Sequence, residues 1–208
     1  MYLKIPVGIH ICMRNVNTHT QHAIRPARPE DASFLARCVC EGIGFEIFES
    51  ENEFNTKIAA GLVPLAGRED TLYSYKHALV AEVDGHVAGA LISYPGEHYH
   101  RMRNITFAEL PQFSELDLDT MPDEAGDGEF YLDTLAVLPL FRRRGIGREL
   151  MRTRIAWAEQ NHSDLKISLL VDPENVKGQR LYESLGFVVT DRNVIAFNHL
   201  YWKMVKQE

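Results

Sequence analysis

The stretch EFYLDTLAVLPLFRRRGIGRELMRTRIAWA, residues 129–158, decides how the chain is read. From Phe130 to Val137 it is rich in β-branched, aromatic and aliphatic side chains, and it stops at Pro139. That run is too short for a helix of its own and predicts a buried strand. Arg142, Arg143 and Arg144 follow, then Gly145-Ile146-Gly147. Beyond them Ile146, Leu150, Met151, Ile155, Trp157 and Ala158 recur at helical spacing, a broad apolar face of the kind that packs on a sheet. A helix N-terminus leaves backbone N–H groups unpaired and carries roughly half a positive charge. Glycines there admit a ligand close to the backbone, and arginines add fork-shaped cationic donors. The turn therefore reads as an anion site, most naturally for a phosphate or pyrophosphate, against the plainer reading of an exposed basic turn. With no Gly-Lys-Ser/Thr it is not a P-loop, and Leu150 stands where a dinucleotide fingerprint has its third glycine.

Composition sets the outer bounds. At 208 residues, with 45% hydrophobic and 25% charged side chains, the chain suits one soluble domain with a normal core. A net charge of −7 argues against nucleic-acid binding and is compatible with a cationic amine substrate. Cys12, Cys38 and Cys40 are odd in number and lack metal-ligand spacing, so reduced cytoplasmic thiols are expected. Cys38 and Cys40, two apart on one helix, should face apart. The apolar start, MYLKIPVGIHICM, contains proline and no cleavage site, so no signal peptide is expected, and no stretch reaches membrane-span length.

In chain order, residues 1–23 read as a mobile extension and 24–208 as the domain. A strand at Ile24 precedes a helix opening near Pro29-Glu30-Asp31. Residues 45–76 read as helical pieces broken around Gly61–Pro64. There Glu46, Glu49, Glu51 and Glu53 form either a solvated face or an acidic rim that attracts amines. HALVAEVDGHVAGALISYP is a hairpin about Asp84-Gly85, with Gly89 marking a bulge or a close backbone contact. Residues 96–128 are a long insertion, helical near Ile105 to Leu116 and then acidic, read as a wall or lid. His98 and His100 have no third ligand candidate nearby, so no metal is assigned. LKISLLV, a helix over Asn175–Leu185, a strand from Phe187 and a closing strand NHLYWKMVK complete the chain. The order written from these readings is β-α-α-β-β-α-β-α-β-α-β.

Two blocks carry a family resemblance. R-x-x-G-x-G at Arg142, Gly145 and Gly147, preceded by LAVLP, resembles the acetyl-CoA loop of the GNAT N-acyltransferases. DPENVKGQRLYESLGF, residues 172–187, is similar to the same family's N-x-x-A-x-x-L-Y-x-x-x-G-F block, with Asn175, Leu181, Tyr182, Gly186 and Phe187 in place. Gly178 departs from the commoner alanine, which would loosen that helix. The resemblance covers roughly residues 24–206. It implies an α/β (α+β) fold whose mixed, mostly antiparallel sheet carries helices on both faces.

The resemblance also implies a chemistry. Acetyl-CoA would be the co-substrate, with its pyrophosphate on Arg142, Arg143, Arg144, Gly145, Ile146 and Gly147. Its pantetheine arm would pair with main-chain groups of Leu135, Ala136 and Val137, beside Asn175. Tyr182 would face the thioester sulfur as general acid, unless it is only a packed aromatic. From the strand alternation, Glu129, Tyr131, Asp133 and Leu135 share one face, so Asp133 or Glu129 is a candidate base. An ionised carboxylate in a core strand needs a partner, and a structural role for Asp133 is equally open. No cysteine lies in either motif to carry an acyl group. The expected reaction is therefore direct transfer to a primary amine of a small molecule or peptide, with no metal, nucleic acid or membrane and with a homodimer left open. The competing reading is a catalytically weak acyl-CoA-binding module of the same fold.

Overall fold

The computed structural model describes residues 22–207 except 51, 112, 113, 116, 119, 121, 197 and 198. Cys12 and all but the last two residues of the expected extension lie outside this range.

One sheet of seven strands organises the described residues. They are β1 (His22–Pro26), β2 (Ala78–Val83), β3 (His86–Pro95), β4 (Glu129–Val137), β5 (Lys166–Val171), β6 (Phe187–Ala196) and β7 (His199–Lys206). The spatial order is β1-β2-β3-β4-β5-β7-β6. Every neighbouring pair is antiparallel except β4 with β5. The helices are α1 (Ala32–Gly42), α2 (Glu53–Ala66), α3 (Tyr99–Ala108), α4 (Ile146–Asn161) and α5 (Val176–Glu183). α1, α2 and α3 bury one core against one face, around Leu35, Val39, Tyr94, Tyr99 and Tyr131. α4 buries the other, around Leu91, Phe130, Leu132, Leu150 and Met151. The expected mixed α/β sheet with helices on both faces is the observed one. It has one strand more than the written order, because β6 and β7 are separate strands of a hairpin.

Local chemistry explains the starts and turns. Asp31 accepts the Arg28 N–H at 2.8 Å and pairs with Arg25 at 2.7 Å, which holds the entry to α1. Asp84 (φ 51°) and Gly85 (φ 79°) make the two-residue turn between β2 and β3. Beside Gly89 the register shifts, and an added Cβ there would lie 3.0 Å from the Ala136 carbonyl oxygen. Gly89 thus marks both a bulge and a close contact.

Four expectations are corrected. β1 starts at His22, ahead of Ile24. α2 runs unbroken through Gly61 and Pro64, because Pro64 falls in its last turn and Ala59, Leu62, Leu65 and Ala66 are buried on one side. α3 lies earlier than Ile105–Leu116 and stops before Pro111, whose ring disfavours helix in the residue ahead of it. Cys38 and Cys40 do lie on one helix, and both are buried because α1 is enclosed by α2 on one side and the sheet on the other. Trp157 is 42% exposed, and Arg154 takes the buried position expected of it.

Candidate active site

β4 and β5 run side by side only over Glu129–Tyr131 and Lys166–Ser168. Beyond Tyr131 they part, while β4 stays paired to β3 as far as Val137. The Leu138 N–H bonds the Ala88 carbonyl at 2.8 Å, so by strand alternation Ala136 faces β3 while main-chain groups of Leu135 and Val137 face the opening. The edge of β4 is left without a strand partner over these residues, beside α4 and α5.

A groove of about 450 Å³ occupies this opening, within the usual size range of small-molecule sites. Leu135, Val137, Arg142, Arg143, Gly145, Ile146 and Gly147 line it from the β4–α4 side, and Asn175 and Tyr182 line it from α5. The two sequence blocks meet there. Gly145 (φ 84°) caps α4 in the left-handed region, and Arg143 (φ 64°) also has positive φ. This geometry turns backbone N–H groups of the α4 start outward. An added Cβ on Gly147 would touch Val137, Leu135 and Leu181 at 3.7–3.9 Å, filling the floor of the groove. Gly178 is not a looseness in α5. The Asn175 side chain caps that helix by accepting the Gly178 N–H at 2.9 Å, and a Cβ on Gly178 would lie 2.6 Å from its Nδ2 atom.

Other expected residues are placed differently. Ala136 is buried in the ladder with β3 and does not line the groove. Arg144 lies over the Phe141 ring, 5.3 Å from its centroid, outside the groove lining. Arg142 reaches the groove, but its guanidinium is engaged by the Val137 carbonyl (2.9 Å), Glu41 (2.6 Å) and Glu49. The acidic run after α1 thereby acquires a structural job through Glu49. Arg148 and Lys177 also line the groove; the sequence reading passed over them because neither belongs to a motif position.

The face alternation of β4 is also corrected. The register with β3 shifts so that Asp133 is an extra residue, a bulge. Tyr131 and Ala136 therefore point into the α1–α3 core, while Leu135 packs on the α4 side. Asp133 receives hydrogen bonds from the Tyr94 hydroxyl and, at 2.7 Å, from Thr134 Oγ1. Burial raises its carboxyl above the ordinary value against these two bonds. Glu129 pairs with Lys203 Nζ at 2.6 Å and accepts the Gly126 N–H at 3.1 Å, so its carboxylate is occupied.

Sequence reasoning missed Glu124. It sits in the acidic insertion, where nothing in the pattern separates it from its solvated neighbours. The Tyr131 hydroxyl donates to it at 2.7 Å and the Tyr99 hydroxyl at 3.1 Å. Burial, with the Asp133 charge second, pushes its carboxyl up to about 7. Tyr182 is raised to about 12 by burial and keeps its proton at neutral pH.

The family description "Acetyltransferase (GNAT) family" matches residues 46–187, more than half the chain. The chain belongs to the GNAT family. An N-acetyltransferase from Staphylococcus aureus Mu50 is 29% identical, with 88% of this chain and 99% of that one covered at a TM-score of 0.68. A PaiA N-acetyltransferase from Thermoplasma acidophilum, solved in complex with coenzyme A, shares the fold at 17% identity. There the coverage is 90% and 99%, with a TM-score of 0.51. No curated protein matches the sequence. GNAT membership makes this chain an acyltransferase of acetyl-transferring type in general terms. Among its described residues, no group of three or more His, Cys, Asp or Glu is placed to hold a metal, and no helix is long and apolar enough to cross a membrane.

Proposed function

We propose that the chain is an N-acetyltransferase that moves the acetyl group of acetyl-CoA to a primary amine of a small molecule or peptide by direct attack in a ternary complex. One observation carries this reading. The two sequence blocks, with groove residues as far apart in the chain as Leu135 and Tyr182, line a single groove at the point where β4 is left without a strand partner. The residues fit the co-substrate. Arg143, Arg148, Lys177 and the outward N–H groups at the start of α4 suit a pyrophosphate. The Leu135 main chain and the Val137 N–H, which no strand pairs, suit an amide-bearing arm that pairs like an added strand, while the Val137 carbonyl is held by Arg142.

In this mechanism a main-chain N–H of the open edge polarises the thioester carbonyl. Tyr182 gives its hydroxyl proton to the departing sulfur. The proton shed by the amine leaves toward the carboxyls on the α1–α3 side of β4, with Asp133 among them. Arg142 acts through structure, fixing the end of β4 to the turn after α1.

The test is thermal unfolding with acetyl-CoA, with NADH and ATP as controls. Ligand at about 100 times its Kd adds roughly 2.7 kcal/mol, which for a chain of this size raises the midpoint by about 5–10 °C. A rise with acetyl-CoA alone, together with thiol release in the presence of amines, is the expected result. A rise without thiol release from any amine would favour a binding module, and no rise would sink the reading.

A further inference from the structure

We propose that Glu124 and Asp133, walled by Tyr73, Tyr94, Tyr99 and Tyr131, form the acceptor pocket, that it takes a cationic alkylamine, and that Glu124 receives the proton this amine sheds. The inference rests on the acetyl-transfer reading and names the substrate class of that same site.

The geometry is specific. Asp133 is the bulged residue where β4 leaves β5, two residues before Leu135, so it stands at the inner end of the open edge. The rings of Tyr94, Tyr99 and Tyr131 lie 6.0–6.4 Å apart, and Tyr73 is buried on the same side of the sheet. Glu124 and Asp133 are each partly exposed, at the edge of this packed tyrosine cluster. Ring faces and carboxylates together favour a cation over a neutral guest. A second observation points to a ligand. Ser168 is fully buried, is the register partner of Tyr131 on the same face, and its hydroxyl has no hydrogen-bond partner among the described residues. Buried hydroxyls are normally paired, and a polar atom of a bound acceptor is what this one lacks.

The charged surroundings fit one mobile proton. Beyond the tyrosines, Glu124 meets Asp133 on β4 and Arg103 on α3, while Lys203 Nζ on β7 reaches its carbonyl at 3.4 Å. Tyr201 on β7 also senses its charge. Glu129 is neutralised by Lys203, and Arg103 is held by Asp123 at 2.7 Å and the Leu118 carbonyl at 2.6 Å. Asp133 and Glu124 are therefore left to share the field, and Glu124, raised to about 7, is poised to gain and lose a proton near neutrality.

The step balances. The Glu124 carboxylate takes one proton from R–NH3+, leaving R–NH2 beside the thioester. The nitrogen lone pair forms the C–N bond and the C–S bond breaks. The electron pair leaves on sulfur, which takes the Tyr182 proton. The surplus proton on nitrogen restores Tyr182 through water, and Glu124 returns its own to solvent. The sum is ammonium plus thioester giving amide, thiol and one proton.

The experiment measures kcat for thiol release from acetyl-CoA across pH with n-butylamine, and with aniline, which is neutral at this pH. Wild type should prefer butylamine and show an acid limb near pH 7. Glu124→Gln should keep its acetyl-CoA midpoint shift, lose the limb, and fall by about 100-fold or more. Tyr131→Phe removes a donor that stabilises the carboxylate, so its limb should move to higher pH. If Glu124→Gln does not fold, Tyr131→Phe carries the test. Preference for aniline, or no release with butylamine from a protein that does shift with acetyl-CoA, overturns the acceptor class. A Glu124→Gln rate within about threefold of wild type, or an unmoved Tyr131→Phe limb, overturns the role of Glu124. Absence of the wild-type acetyl-CoA shift would instead overturn the underlying reading.

Discussion

Tyr182 and Glu124 show how differently two site residues announce themselves. Tyr182 stands in a spaced block, and its place follows once α5 is set beside the groove. Its packing against Phe187, 6.3 Å between ring centroids, is what a structural aromatic would show as well, so the role must be tested by rate. Tyr182→Phe should lower kcat by about 100-fold while leaving the acetyl-CoA midpoint shift intact, because in the proposed mechanism the hydroxyl acts on the sulfur while the ring still fills the wall. Equal losses in both would sink the general-acid role. Glu124 carries no such signal, since one glutamate among many in an acidic loop acquires a raised pKa only when the fold buries it beside Asp133, against the two tyrosine hydrogen bonds that lower it. Asp133 lies between these cases. A lone carboxylate in a core strand demands a partner, but the partners, Tyr94 and Thr134, follow from pairing and the bulge.

Among the elements, β4 does the positioning, and its neighbours hold it tightly. Gly89 of β3 lies under it, and a Cβ there would stand 3.0 Å from the Ala136 oxygen and 3.1 Å from Val137 Cγ2. Gly89→Ala should cost about 1–3 kcal/mol and, by shifting Leu135–Val137, shrink the acetyl-CoA shift, both read from one pair of melting curves. The insertion after β3 is anchored similarly. A Cβ on Gly96 would overlap the Gly126 carbonyl oxygen, so Gly96→Ala should displace the segment that carries Glu124. Its expected signature is a larger loss in amine turnover than in cofactor response. Equal losses would show that the insertion does not shape the acceptor side.

Across the whole molecule, two partly buried groups titrate against each other. Glu124 is raised from 4.5 to about 7, so between those values the folded chain binds more protons there than the unfolded chain, and this group stabilises as pH falls. His77 is lowered from 6.5 to about 4 by burial, so its contribution is lost as pH falls through that range. The two oppose each other between about pH 6.5 and 4.5, and the wild-type midpoint should change little there. Glu124→Gln removes one arm, leaving a stability that falls on acidification by an amount on the order of 2–3 kcal/mol and a midpoint that falls with it, as one raised and one lowered group no longer offset. A variant with wild-type pH dependence would show that Glu124 does not titrate in this range. The sequence by itself determined the strand–turn–helix of residues 129–158, the hairpin at Asp84-Gly85, most strands of the sheet and the two motif blocks, because periodicity, turn chemistry and helix-start glycines are local. Only the tertiary structure decided that β4 bulges at Asp133 and so turns Leu135 away from Tyr131, that Arg142 is taken by Glu41 and Glu49, and that Glu124 joins the site. Each of these depends on which distant segments are packed together, and that information no short window of residues contains.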